Sequence, residues 1–136
     1  REGYGADQGA RGMIIEIPDL PPSVNHYFKR SQNGRLYLDA EARAFVELAK
    51  ACAIQAAKRA RWKILPAGNF FYLVIGFEFK NRRFADPNNM LKILIDALQG
   101  ILFENDKWAL PMVAKAEITG RKHTTVNVLA YGREIK

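Results

Sequence analysis

Histidine and cysteine are scarce in this chain of 136 residues: two histidines, His26 and His123, and one cysteine, Cys52. A lone cysteine excludes an internal disulfide, and without a Cys/His cluster a structural zinc site is excluded too. A reducing, cytoplasmic setting is the expectation that follows. Long hydrophobic runs are also missing. The longest, residues 70–77, contains Gly76 and is closed by Glu78, far short of the roughly 18 apolar residues of a membrane span. Acidic residues are in short supply, 14 against 21 lysines and arginines, so the net charge is +7. Such a balance suits a polyanionic partner, and equally a well-solvated surface. What is abundant is apolar side chain, 49% of residues, enough for the core of one domain at this length and not of two.

Residues 1–12 are glycine-rich and lack periodicity, which suits a leader left by expression cloning, with Met13 as the native start. Arg1, Glu2, Asp7 and Arg11 cancel within it, so the whole charge excess belongs to 13–136. Met13 to Ile17 has the β-branched character of a strand, ended by Pro18, Pro21 and Pro22. Asn33-Gly34 between Tyr27-Phe28 and Leu36-Tyr37-Leu38 predicts a small hairpin. Asp39 is a good N-cap for a helix running to Arg61, whose apolar face is carried by Phe45, Leu48, Ala49, Cys52, Ala53, Ala56 and Ala60. Lys58, Arg59, Arg61 and Lys63 at its far end suit either the helix dipole or phosphate contact. Phe70 to Lys80 reads as a central strand. Asn81-Arg82-Arg83-Phe84-Ala85 is a basic loop. A second helix is expected from Pro87 to Phe103, capped by Asp86 with proline at its first position. Met112 to Thr119 and Thr124 to Tyr131 alternate and predict an antiparallel hairpin around Gly120. The order strand, helix, strand, helix, strand, strand gives a single α+β domain with a small mixed sheet and two main helices.

Polar side chains on the second helix stand out because so much of it is apolar. Asn88, Lys92 and Asp96 are spaced by four and line one stripe, while Met90, Leu91, Ile93, Leu94, Ile95, Leu98, Ile101 and Leu102 cover the rest. A helix this apolar is buried, so its polar groups must be paired, terminal, or facing a wet cleft. Asp106 follows in a polar turn that can fold back beside it. Each residue also has a purely structural explanation: Asp86 as a cap, Lys92 reaching to solvent, Asp96 as a buried partner, Asp106 as a turn residue.

The run Asp86-Pro87-Asn88-Asn89-Met90-Leu91-Lys92, followed by Asp96-Ala97-Leu98 and Asn105-Asp106, resembles the signature of the RusA family of Holliday junction resolvases. There the pattern is Asp-x-Asp-Asn-Leu-x-Lys, then Asp-Ala-Leu, then a pair of aspartates. Arg82-Arg83 is similar to the basic run before the family's first aspartate. Pro21-Pro22-Ser23, Asn25 and Tyr27 resemble the family's N-terminal Pro-Pro-Ser-x-Asn-x-x-Tyr, with Tyr27 one place early. The likeness spans Met13 to Tyr131. It implies a homodimer of α+β subunits that binds four-way DNA junctions and nicks two strands symmetrically with magnesium, in recombination and repair. It further implies an acidic metal site of Asp86, position 88 and Asp106 with Lys92 beside it. With the net charge concentrated in pairs such as Lys29-Arg30 and Arg82-Arg83, DNA contacts are expected from Asn25, Lys29, Arg30, Arg82 and Arg83.

The chemistry agrees with that implication. Phosphodiester hydrolysis calls for a hard cation on oxygen ligands with positions open to water and phosphate, and a lysine one turn along can offset charge on the scissile phosphate. A helix N-terminus adds partial positive charge where an anion would dock. Two departures count against full equivalence. Position 88 is asparagine, a neutral oxygen ligand that weakens a magnesium site, and the family's paired aspartates are Asn105-Asp106. Asn88 is compatible with an engineered cleavage-defective form and with natural tolerance. Three readings therefore stand: a structure-selective nuclease, a non-catalytic branched-DNA-binding protein, and an interaction protein whose apolar helix only dimerises. An RNA-recognition module is disfavoured, because 70–79 lacks that family's basic-Gly-aromatic strand motif.

Overall fold

The computed structural model describes residues 11–23, 28–30, 32–34 and 36–130. Its elements in order are β1 (Arg11–Ile17), β2 (Phe28–Arg30), β3 (Leu36–Leu38), α1 (Ala40–Ala60), β4 (Phe71–Phe79), α2 (Leu91–Leu98), β5 (Ala109–Ile118) and β6 (His123–Ala130). Short 3-10 turns at Pro87–Met90 and Asp106–Trp108 precede α2 and β5. Four strands form one mixed sheet in the order β1-β6-β4-β5, and β2 pairs with β3 in the expected small hairpin. The fold is the single α+β domain that the element order implies. β1 opens at Arg11, two residues before the expected Met13, with Arg11 and Gly12 opposite Ala130 and Leu129.

Strict alternation decides which face of the sheet is covered. Phe71, Leu73, Ile75, Phe77 and Phe79 of β4 are all buried, and the intervening residues are not. Met13, Ile15, Ile17, Val126 and Val128 join them on the same face. Against this face lie Phe45, Ala49 and Ala53 of α1 and Ile93, Leu94, Ala97 and Leu98 of α2. Each large apolar side chain fully withdrawn from water stabilises by about 1.5–3 kcal/mol, so this single layer of contacts carries the fold. Asp39 caps α1 as expected, its Oδ1 accepting from the Ala42 N–H at 2.8 Å.

Two expectations are corrected. β5 and β6 do not form a hairpin: β4 lies between them, parallel to β5 and antiparallel to β6. Residues 80–108, with α2 among them, supply the long crossover that a parallel pair requires. The link from β5 to β6 then passes over the end of β4, where the N–H groups of Thr119 and Gly120 both donate to the Phe79 carbonyl at 2.9 and 3.2 Å. The second helix is also shorter than expected. It ends at Leu98, Gln99 is extended, and Gly100 has φ +89°. The chain doubles back, burying Leu102 and Phe103, and Phe103 packs on Phe71 with ring centroids 4.8 Å apart. Leu65 lies beside this return, donating its N–H to the Leu102 carbonyl at 3.1 Å and accepting from the Glu104 N–H at 2.9 Å.

Candidate nuclease site

Asp86 stands at the end of the basic loop, exposed, and its Oδ1 accepts from the Asn88 N–H at 2.9 Å while its carbonyl accepts from the Asn89 N–H at 2.9 Å. The capping role read from the sequence is therefore real, with one correction. It caps a 3-10 turn, and the α-helix begins only at Leu91. The amides of this first turn serve Asp86 rather than lying open to an anion. Oδ2 of Asp86 has no hydrogen-bond partner among the described residues. Asn88 is exposed in the same turn, off the strict α-helical spacing that would align it with Lys92.

One turn into α2, Lys92 Nζ lies 3.2 Å from Asp96 Oδ2, with both side chains about half exposed or more. These two residues share a shallow cavity of about 270 Å³ with Ile95, Asp106, Ala109 and Pro111. Asp106 reaches it because the chain returns after Gly100, and Gln99 pins it there by accepting the Asp106 N–H at 2.7 Å. Asn105, which replaces the family's first aspartate of the pair, caps the following turn by accepting from the Lys107 N–H at 2.9 Å. An amide oxygen serves that local task as well as a carboxylate does.

Of the site residues expected from sequence, Lys92 and Asp106 thus share one cavity, and Asp86 and Asn88 are not among its lining residues. Asp96 and Gln99 belong to the arrangement and were not among the expected site residues. Asp96 was legible as part of the stripe, whereas Gln99 gave no signal until the helix was seen to end beside it. Arg82 and Arg83 are exposed on the loop before Asp86. Lys29 and Arg30 are described only as backbone of β2, and Asn25 lies outside the described residues.

Among the described residues no group of three His, Cys, Asp or Glu side chains converges. Asp86, Asp96, Asp106 and the Asn88 amide offer hard oxygens, the donor type that magnesium takes, but only Asp96 and Asp106 of these line one cavity, so among the described residues the protein supplies at most two carboxylates to an ion there and no all-protein cage.

The fold and motif residues define a small α+β protein with carboxylates and a lysine gathered on and around one crossover helix. The family model for endodeoxyribonuclease RusA matches residues 19–129. The chain belongs to that family, one of endodeoxyribonucleases that act in Holliday junction resolution. No curated protein matches the chain.

Proposed function

We propose that this chain is a magnesium-dependent endonuclease that binds four-way DNA junctions as a homodimer and nicks two strands symmetrically, in recombination and repair. The observation that carries this reading is the meeting of Lys92, Asp96 and Asp106 in one cleft, on the helix that the motif turn of Asp86 and Asn88 leads into. Asp86, Asn88 and Asp106 would hold the ion, and when bound it supplies a water activated for attack and charge to offset the developing phosphorane. Lys92 neutralises charge on the scissile phosphate, with Asp96 holding its ammonium in place. Gln99 positions Asp106 through its backbone, and the exposed Arg82 and Arg83 meet the DNA backbone.

A second reading, a branched-DNA-binding protein without cleavage, is favoured by Asn88, which removes one negative charge from the metal set. The assay that separates them is cleavage of a four-way junction by this chain beside Asn88→Asp, with and without magnesium. Cleavage that needs magnesium and rises in Asn88→Asp supports the nuclease. Binding with no cleavage by either protein supports the binding module.

A further inference from the structure

A second, larger cavity of about 480 Å³, within the size range of small-ligand sites, is lined in part by residues of the 80–86 loop. Phe45, Phe79 and Met90, all buried, contribute apolar wall, and Lys80, Arg83 and Lys122 contribute cations. No ion pair engages those three cations among the described residues. Phe84 lines the same cavity. Its ring stacks on Phe79 at 4.4 Å and 19°, yet the residue remains 46% exposed. An aromatic stacked on the core through one face, in a loop of arginines, is a platform with its other face to offer. The proline loop that forms another wall is fastened by Thr124 Oγ1, which donates to the Asp19 carbonyl at 2.7 Å.

We infer that this cavity receives an unstacked nucleobase from the branch point of the bound junction, with Phe84 as its stacking surface. The inference rests on the junction-binding function proposed above. Its chemical basis is the pairing of an aromatic platform with cations that track a phosphate backbone, the arrangement by which unpaired bases are held without sequence preference. Two carboxylates, Asp19 and Glu41, also line the cavity, and the Leu20 N–H donates to Asp19 Oδ1 at 2.8 Å. These carboxylates can accept from the N–H donors of a base edge, while Lys80, Arg83 and Lys122, which line the same cavity, are available to its flanking phosphates. Phe84 is two residues before Asp86 in the same loop, which puts the platform next in sequence to the candidate acidic residue. A base at an open branch point lacks a stacking neighbour on one side, so withdrawing it costs less than withdrawing one from within a continuous duplex. A continuous duplex has no such base to give, which makes the cavity a source of selectivity for branched over linear DNA.

The test uses the full chain in EDTA with four-way junctions carrying 2-aminopurine at each branch-point position in turn, with binding followed separately by anisotropy. At one position the emission of the base is expected to rise several-fold on binding. Phe84→Ala removes that rise and weakens junction binding roughly ten-fold, while Phe84→Tyr, which keeps the platform, retains both. Lys122→Glu, at an exposed position, also loses the rise and guards against a folding defect in the alanine variant. Binding with no rise at any position, or a rise that survives Phe84→Ala, overturns the cavity's role and leaves junction binding standing. Absence of junction binding by anisotropy overturns the function beneath it and the inference with it.

Discussion

Lys92 is exposed, and its Nζ lies within reach of the Asp96 carboxylate. Exposed pairs four residues apart on a helix stabilise by only about 0.3–0.5 kcal/mol, so this pair contributes little to folding. Lys92→Ala is accordingly expected to leave the thermal midpoint nearly unchanged and junction affinity largely intact, while cleavage falls by at least 100-fold, on the order of the loss when a preorganised charge-stabilising group is removed. A midpoint drop with cleavage preserved would assign Lys92 to the fold. Asn88→Asp should raise magnesium-dependent cleavage without loss of stability, since a carboxylate in that first turn is favoured by roughly 0.3–1 kcal/mol. No gain at saturating magnesium removes position 88 from the site and leaves Asp86, Asp96 and Asp106. Away from this cleft, Arg121 grips Glu78 through two hydrogen bonds of 2.8 Å. Those bonds hold the Glu78 carboxyl down at about 2, from its ordinary 4.5. Because the folded value is the lower one, the pair's contribution is complete above pH 4.5 and is lost as pH falls toward 2. Glu78→Gln should therefore show a flatter loss of stability across that interval, measured as urea midpoint against pH.

Among the elements, α1 and β4 were readable from sequence nearly to the residue, because a cap and an alternation are local signals. The motif cluster was readable only through its residue pattern, and it is the three-dimensional return of the chain that brings Asp106 to Lys92. Where the reading failed, a local pattern had two physical outcomes. An apolar run from Met90 to Phe103 is satisfied by one long helix or by a short helix and a return, since both bury Leu102 and Phe103. Only Gly100, at φ +89°, distinguishes them, and one glycine inside an apolar run is a weak signal. Likewise two alternating strands joined by a glycine turn suggest a hairpin, but β4 takes the place between them because its own two faces of hydrogen bonds are unfilled until β5 and β6 arrive. Gly100 offers a clean check. Nothing lies within 4 Å of where a Cβ would stand, so Gly100→Ala carries only the backbone cost of a left-handed conformation, about 1 kcal/mol. The expected result is a midpoint several degrees lower, and a weaker cleft if Asp106 shifts with the return. An unchanged midpoint would mean that the return is set by Leu102 and Phe103 alone.

At the scale of the whole molecule, the apolar second helix no longer argues for a dimer, because Ile93, Leu94, Ala97 and Leu98 are spent on the core of one subunit. Several exposed apolar side chains lie elsewhere, on the face of the sheet that no described helix covers: Ile14 at 58%, Tyr72 at 40%, Met112 at 53% and Leu129 at 38% exposure. Registers place Ile14 beside Asn127, Tyr72 across from Leu129 and Leu110, and Val74 beside Met112, so these side chains belong to one surface spanning all four strands. The edge of β5 is a poor alternative for pairing two sheets, since it carries Pro111 and Lys115, residues that blunt strand addition. The open face therefore suits a second copy of this chain, sheet against sheet about 10 Å apart. Four strands of this length give a footprint on the order of 500 Å² per subunit, at the small end for a stable interface. A dimer formed on this face would accordingly depend on concentration in the micromolar range and would leave both clefts, on the helical side of each subunit, open to DNA. Light scattering across that range is expected to move from monomer to dimer. Met112→Glu, which places a charge at an exposed position of the face and disturbs no core contact, should hold the chain as a folded monomer and reduce paired nicking of the junction to single nicks. A dimer that survives both Met112→Glu and Ile14→Glu would put the interface on another surface.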